Sequence, residues 1–232
     1  RIDSPPTIHR GRAVVGSRDG RVYSLRNTDG AIAWQFQAAR EPRFLVADGQ
    51  LESAWPVSGA ILVHDTVAYV AAGRSTYLDG GIDLYRLDAQ SGKVLGQTAL
   101  YSPDPQTGRQ PPQFAPSAMP GQRNDILASD EQYLYLRDMV LDRNLREQPQ
   151  GNPHLFTLTD FLDDSWAHRS YWIFGHRCSI SSGCSGREKG LIYGRLLVFD
   201  EGSIYGYGRA DVHWSNQLED GPYRVFARGR SQ

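Results

Sequence analysis

An internal repeat is the feature that most constrains this chain of 232 residues. Two segments, beginning at Tyr23 and Tyr85, share the pattern Tyr-x-Leu-x4-Gly-x-(Ile/Val) at identical spacing. In the first segment, Asp-Gly pairs ending at Gly20 and Gly30 indicate tight turns, because glycine accepts the positive φ that such turns require. Apolar and polar residues alternate between the turns, as they do in strands. The repeat therefore predicts consecutive antiparallel strands, which are the building unit of a β-propeller blade.

A second pattern recurs further along the chain: an apolar pair, then an aspartate, then a tyrosine four or five residues after it. Its copies are Asp65 with Tyr69, Asp130 with Tyr135, and Asp200 with Tyr205. Each aspartate falls where a turn between two strands is expected. The two patterns together predict an all-β propeller with four blade-like units. They lie near residues 13–38, 57–100, 124–158 and 190–227.

The distance between equivalent points in these units grows from 48 to 70 residues along the chain. A plain blade needs only about 40–50 residues, so the later units are expected to carry loop insertions. The first is the proline-rich stretch 102–122, and the second is 162–190. We also expect the chain to begin within a blade, because Ala13–Gly16 aligns with a second strand and leaves the first unassigned.

Composition excludes several classes of function. The formal net charge is -1 and the basic residues are scattered, so a nucleic-acid partner is not expected. No stretch of about 18 apolar residues is present, so this segment is not expected to insert into a membrane. The first residue is Arg1 and no signal segment precedes the repeat, so we expect the natural N-terminus to lie elsewhere.

The segment Gly16–Trp34 resembles the PQQ-type propeller repeat. That repeat is shared by quinoprotein dehydrogenases and by non-catalytic outer-membrane assembly lipoproteins. The segments Ala72–Gly81 and Phe161–Trp172 are similar to a group of PQQ-like repeat proteins from planctomycete-like bacteria. The resemblance implies an exported or periplasmic protein. It also implies a propeller of seven or eight blades, so four units would form a partial or open ring.

In the dehydrogenases, the resemblance implies a PQQ cofactor held by a stacked tryptophan, an adjacent Cys-Cys disulfide and a bound Ca²⁺. Here Cys178 and Cys184 are separated by five residues, and Trp34 occupies a blade-packing position whose counterpart in the second repeat is Gly96. No cofactor-binding residue is therefore carried over. No metal site is predicted either, because no histidine or cysteine spacing matches one.

The densest group of reactive side chains lies in the segment 163–169 and makes this loop the candidate ligand site. Its members are Asp163, Asp164, Trp166, His168 and Arg169. Two carboxylates near a histidine could perform acid–base chemistry or bind a cation. The structural alternative is a loop that caps the propeller, with its aspartates accepting bonds from backbone amides. Nearby, Cys178 and Cys184 bracket a short polar loop and could form a disulfide in an oxidising compartment.

Three hypotheses for function follow. The leading one is a non-catalytic binding or scaffold module, whose partners are other proteins or other blades of the same propeller. The alternative is an enzyme, either a PQQ-dependent dehydrogenase or a hydrolase that uses Asp163, Asp164 and His168. The third is an incomplete gene product with no independent function.

Overall fold

The computed structural model describes residues 1–47, 49–104, 106–109, 121–157, 172–176, 192–209 and 223–230. The chain divides into two compact units. Unit 1 comprises Arg1–Pro111 and Gly121–Gln148, and unit 2 comprises Pro112–Pro120 and Pro149–Gln232. All regular elements among the described residues are β-strands.

The first sheet of unit 1 contains four antiparallel strands in sequence order. They are β1 (Thr7–His9), β2 (Arg12–Gly16), β3 (Arg21–Arg26) and β4 (Ile32–Gln37). The strand that the repeat left unassigned is therefore Thr7–His9, which pairs with β2. It escaped the sequence analysis because three residues are too few to show an alternating pattern.

A separate two-stranded hairpin follows, formed by β5 (Phe44–Ala47) and β6 (Gln50–Ser53). The second four-stranded sheet comprises β7 (Leu62–His64), β8 (Val67–Ala72), β9 (Ile82–Asp88) and β10 (Val94–Leu100). The third comprises β11 (Leu127–Ser129), β12 (Leu134–Leu136), β13 (Met139–Leu141) and β14 (Glu147–Gln148). Each four-stranded sheet is a meander, as a propeller blade requires.

The register of the first two sheets reproduces the sequence repeat. Leu25 lies opposite Ile32 and Leu87 lies opposite Val94. In both sheets the register then shifts by one residue. After this bulge Ser24 faces Trp34 and Arg86 faces Gly96, which confirms that Gly96 is the counterpart of Trp34.

Trp34 joins the first two sheets of unit 1. It is 9% exposed and belongs to one apolar cluster with Val14 of β2 and Val70 of β8. Its indole Nε1 donates a hydrogen bond to the carbonyl of Ala89, at 3.2 Å. A Cβ atom on Gly92 would lie 2.7 Å from the indole ring, so glycine is needed there both for the close approach and for its φ of +73°. The predicted packing role of Trp34 is confirmed.

Unit 2 contains two three-stranded antiparallel sheets. The first comprises β15 (His154–Thr157), β16 (Trp172–Gly175) and β17 (Ile192–Gly194). The second comprises β18 (Leu196–Phe199), β19 (Ser203–Arg209) and β20 (Tyr223–Gly229). Phe174, Leu197 and Ile204 form the core between the two sheets. Strand β16 lies inside the stretch 162–190 that the repeat spacing assigned to a loop insertion.

In the described part of the chain, no helix has the length and apolar character needed to cross a bilayer.

Candidate protein-binding surfaces

The loop residues predicted to form a ligand site lie outside the residues that the structure describes. This applies to Asp163, Asp164, Trp166, His168 and Arg169, and equally to Cys178 and Cys184. Two surfaces are candidate binding sites. One is the loop end of unit 1, formed by the β2–β3 turn, the β5–β6 hairpin and the β8–β9 loop. The other is one face of the second sheet of unit 2.

At the loop end of unit 1, the β2–β3 turn and the β5–β6 hairpin are joined by a buried ionic network. The guanidinium of Arg18 donates to a carboxylate oxygen of Asp3 through Nε and to Oε2 of Glu52 through Nη1, the latter at 2.7 Å. The side chain of Glu52 is only 5% exposed, and Nε of Arg74 lies 3.7 Å from its other oxygen. These charges hold the hairpin against the first sheet.

Two further ion pairs tie the segment before the hairpin to the β8–β9 loop and to the start of β9. Arg40 donates to both carboxylate oxygens of Asp83, at 2.5 and 2.7 Å. Arg43 donates to Asp79 at 2.7 Å and stacks 4.7 Å above the Trp55 ring. The indole of Trp55 in turn donates to the Asp79 carbonyl at 2.9 Å. The charged side chains of this end are thus engaged with one another.

The pKa shifts agree with a structural role for these groups. Burial opposes ionisation of Asp3, but hydrogen bonds from Arg18 and Arg1 outweigh it and hold the pKa of the Asp3 carboxyl below its usual range. The hydrogen bond to Asp83 raises the pKa of Arg40. Burial, together with the Asp83 charge, raises the pKa of Tyr85 to about 12. These shifts keep Asp3 ionised as an acceptor, and they keep Arg40 and the Tyr85 hydroxyl protonated as donors.

The recurring aspartates are also used structurally. Oδ1 of Asp130 accepts the backbone amides of Gln132 and Tyr133, and Oδ2 accepts the Tyr135 hydroxyl at 2.5 Å. Asp200 makes the same pattern in unit 2, with its Oδ2 3.2 Å from the Tyr205 hydroxyl. Each aspartate lies in the turn between two strands, as predicted. In the first copy the Tyr69 hydroxyl donates instead to the Arg143 carbonyl, so the Asp–Tyr hydrogen bond closes the turn in the Asp130 and Asp200 copies.

The β5–β6 hairpin itself presents an apolar surface. Leu45 and Glu52 face each other on its inner side, whereas Val46 and Leu51 face each other on the other side. Val46 is 73% exposed and Leu51 71%, and Phe44 is about half exposed. Phe44, Val46 and Leu51 share one side of the hairpin, and a contiguous exposed apolar patch of this kind is a candidate protein contact.

The second sheet of unit 2 has an exposed face made of two apolar rows. Leu196, Tyr207 and Val225 form one row across the three strands. Val198, Tyr205 and Ala227 form the adjacent row. Leu196, Val198 and Val225 are 65%, 66% and 83% exposed. The opposite face carries Leu197 and Ile204 and is buried in the core of unit 2.

The described residues do not fit a PQQ–Ca²⁺ site. Trp34, the tryptophan of the repeat, is buried against the neighbouring sheet and its indole is hydrogen-bonded, so its ring faces are not available to stack on a quinone. No group of three or more metal-ligating side chains occurs in the part of the chain that the structure describes.

The meander sheets and their repeated register define a class of protein: an all-β propeller built from PQQ-type blades. A family model described as outer membrane protein assembly factor BamB matches residues 1–161. The chain belongs to this family. The predicted all-β propeller fold and the resemblance to the PQQ-type repeat are both confirmed.

Among solved structures, BamB from Moraxella catarrhalis is 14% identical, with 97% of this chain and 58% of that chain covered and a TM-score of 0.45. A quinohemoprotein alcohol dehydrogenase from Pseudomonas putida HK5 is 18% identical, with 58% and 20% covered and a TM-score of 0.41. A europium-containing methanol dehydrogenase is 14% identical, with 98% and 40% covered and a TM-score of 0.41. The chain thus spans little more than half the length of the BamB structure. A search of curated proteins gave no match.

Sequence reasoning missed both apolar surfaces. The hairpin had a readable signal, since Asp48-Gly49 stands between two alternating runs. The sequence signal for the β18–β20 face was weaker. The alternation in Tyr205, Tyr207 and Val225 shows which residues share a side of the sheet but not which side is exposed. Exposure depends on which elements pack against the sheet.

Proposed function

We propose that this chain is a non-catalytic protein-binding module of an outer-membrane protein assembly factor, working as a scaffold in an exported or periplasmic protein. The observation that carries the proposal is the β5–β6 hairpin. Its inner side is anchored by the buried Arg18–Glu52 pair, while Val46 and Leu51 remain exposed. Membership of the BamB family supports the assignment to outer-membrane protein assembly.

The geometry favours binding over catalysis. A catalytic centre needs a nucleophile, acid or base that is free to meet a substrate. At the loop end of unit 1, Asp79, Asp83 and Glu52 are all held by arginines. An exposed apolar surface beside charges that are paired with one another instead fits the apolar core and polar rim of a protein interface.

The proposal is tested with an outer-membrane β-barrel protein presented in its unfolded, fluorescently labelled form. Anisotropy titration should show saturable binding to the chain, and Leu51→Glu should weaken it by about tenfold, since a charge would have to be desolvated in the contact. The matched control is Ile32→Glu, at an exposed apolar position of β4 in the repeat sheet, which should bind like the wild type. Equal affinity of both variants would refute the role of the hairpin.

The enzymatic alternative is tested separately. PQQ is added with Ca²⁺, and its absorbance and dye-linked alcohol oxidation are followed. Stoichiometric PQQ binding with turnover would replace the scaffold proposal with a dehydrogenase. The loop residues Asp163, Asp164 and His168 are examined in the same assays as alanine variants, and a loss of hydrolytic or oxidative activity there would identify them as catalytic.

Cys178 and Cys184 provide a test of the compartment. In an exported protein they are expected to be joined, so thiol alkylation followed by mass spectrometry should label neither cysteine before reduction and both after it. Labelling of both cysteines without reduction, in protein isolated from its native compartment, would contradict the exported assignment.

A further inference from the structure

The contact between the first two sheets of unit 1 is built around one inserted side chain, Trp34 of β4. Its indole lies against Gly92, shares an apolar cluster with Leu87, and donates a hydrogen bond to the Ala89 carbonyl at 3.2 Å. These three groups belong to β9 and to the turn that follows it. Together they form the indole site of the second sheet.

The first sheet carries matching groups at the same positions of the repeat. Leu25 is the counterpart of Leu87, since each is paired immediately beside the same shift in register. Asn27 follows two residues later, as Ala89 does, and both backbone amides donate to the turn between the first two strands of their sheet. The Asn27 carbonyl therefore holds the position that the indole-bonded carbonyl has in the second sheet.

Gly30 is the counterpart of Gly92. Its backbone amide donates to the carbonyl four residues earlier, as that of Gly92 does, and its φ of +71° is close to +73°. A Cβ on Gly92 would lie 2.7 Å from the Trp34 ring, whereas a Cβ on Gly30 would meet no described atom within 4 Å beyond its chain neighbours. Leu25, Asn27 and Gly30 thus form a second indole site, the Gly30 site.

Burial distinguishes the two sites. Leu87 is fully buried and Ala89 is 2% exposed, because the first sheet packs against them. In the Gly30 site, by contrast, Leu25 is only half-buried, and Asn27 and Gly30 are exposed. The Gly30 site is therefore accessible on the side of the first sheet opposite to the one that packs on the second sheet.

The face around the Gly30 site is apolar on its inner strands. A row across β1–β3 begins at Ile8, which is 62% exposed, and ends at Leu25. The equivalent row of the second sheet begins at Val63 and packs against the first sheet. The outer strand is not part of this contact, since Val94, the counterpart of Ile32, stays 41% exposed.

A second ring accompanies the indole in the contact between the two sheets. Phe36, two residues after Trp34, packs edge-on against Tyr85 with ring centroids 5.0 Å apart. Tyr23 is the counterpart of Tyr85 in the Tyr-x-Leu repeat. The Tyr23 hydroxyl donates to Asp19 at 2.6 Å, which holds the ring on the accessible face. This face thus offers a ring contact beside the Gly30 site.

We propose that the Gly30 site binds a tryptophan of a separate protein partner, carried on an exposed β-strand with the pattern Trp-x-Phe. The indole lies against Gly30 and donates its N–H to the Asn27 carbonyl. The phenylalanine packs against Tyr23. Tryptophan in a pocket is a common anchor of protein interfaces. This inference goes beyond the proposed function, because it concerns the first sheet and not the β5–β6 hairpin.

The partner is a different protein because the described tryptophans of this chain are engaged in its own packing. Trp34 and Trp55 are 9% and 3% exposed within unit 1. Trp172 packs against the apolar core of unit 2. A second copy of the chain therefore does not offer any of these three indoles to the Gly30 site.

The test uses a synthetic peptide with the sequence of residues 31–38, Ala-Ile-Ala-Trp-Gln-Phe-Gln-Ala, in which the tryptophan is fluorinated. Titration with the full chain should give a saturable change in the fluorine NMR shift. The control peptide Ala-Ile-Ala-Gln-Trp-Phe-Gln-Ala has the same composition but places the two rings on opposite sides of the strand. It should bind about tenfold more weakly, since only one ring then reaches the site.

Gly30→Ala connects the binding to the site. It should weaken binding of the first peptide by about tenfold, because the added Cβ would meet the indole as a Cβ on Gly92 would meet Trp34. Gly49→Ala is the matched control. Gly49 has a φ of +72° and equally open surroundings among the described atoms, so this variant carries the same backbone strain and should bind the peptide like the wild type.

Leu25→Glu is a second variant, at a half-buried position, and it keeps the test decisive if Gly30→Ala does not fold. It should also weaken binding by about tenfold, since an indole in the site would have to desolvate the new charge. Circular dichroism of each variant verifies that the fold is retained.

Three outcomes would overturn the inference. The first is equal binding of the two peptides, and the second is binding that survives both Gly30→Ala and Leu25→Glu. The third is a dimer in light scattering that Gly30→Ala dissociates, since a second copy would then be the occupant. The hairpin proposal is tested separately by Leu51→Glu with an unfolded barrel protein, so the failure of either proposal leaves the other standing.

Discussion

Truncating Trp34 tests whether the first two sheets of unit 1 pack as neighbouring blades. Trp34→Ala removes a side chain that is 9% exposed and leaves a cavity between the sheets. Truncations of this kind cost about 3–5 kcal/mol. The variant also leaves the Ala89 carbonyl without its indole donor, which adds about 1 kcal/mol. We expect a loss of about 4–6 kcal/mol in the free energy of unfolding.

Trp34→Phe is the matched control. It keeps most of the ring in place and loses the hydrogen bond, so it should cost only about 1–2 kcal/mol. Urea unfolding followed by far-ultraviolet circular dichroism measures both variants without depending on the fluorescence of the residue removed. The free-energy difference comes from the shift in the midpoint at an unchanged slope.

Gly92 makes the test specific. Gly92→Ala should destabilise the wild type both through its φ of +73° and through the contact that a Cβ would make with the indole at 2.7 Å. In the Trp34→Ala background only the backbone cost of about 1–2 kcal/mol should remain, so the two changes should not add. If Trp34→Ala costs less than about 1 kcal/mol, or the two changes are additive, Trp34 does not pack against the second sheet. Its ring would then be free for a ligand.

Three further predictions concern side chains whose hydrogen bonds stabilise the fold. Glu52→Gln should lower the free energy of unfolding by about 3 kcal/mol, because it leaves the Arg18 charge partly uncompensated in a buried site. Amide hydrogens of the β5–β6 hairpin should then exchange faster, and a hairpin that stays protected would show that Glu52 does not hold it in place. Tyr135→Phe should cost about 1–2 kcal/mol in urea unfolding, since the Tyr135 hydroxyl donates to Asp130, whereas a cost near zero would show that the Asp–Tyr pair does not stabilise the turn. The pKa of Asp3 is lower in the folded protein than in the unfolded chain. The ionised Asp3 carboxylate therefore stabilises the fold fully above its unfolded pKa of about 3.9, and this stabilisation is lost as pH falls through the folded pKa. Asp3→Asn should flatten the acid limb of a plot of stability against pH, and an unchanged limb would contradict this.

Much of the fold was readable from local pattern. The Tyr23 and Tyr85 repeats predicted two meander sheets, and the register matched them down to the counterpart relation of Trp34 and Gly96. The turn role of Asp130 and Asp200 was equally readable. These features depend on residues close in sequence, because turn geometry and strand alternation are set within a few residues.

The candidate surfaces were not readable in the same way. The segment 163–169 was predicted as a ligand site because reactive side chains are adjacent there, but adjacency does not show whether such groups face a ligand or one another. Glu52 is a second example. Nothing in the sequence distinguishes it from a surface acid, whereas in the structure its side chain is 5% exposed and paired with Arg18.

The sequence by itself determined that this protein is all-β, that its strands form PQQ-type blades, and that its recurring aspartates lie in turns between strands. Only the tertiary structure decided which apolar residues are covered and which charges are paired. Trp34 became a packing residue because a second sheet lies over it, and Val225 an exposed one because its side of the β18–β20 sheet is open. Burial is a property of elements distant in sequence, so alternation can divide a strand into two faces but cannot say which one meets a neighbour.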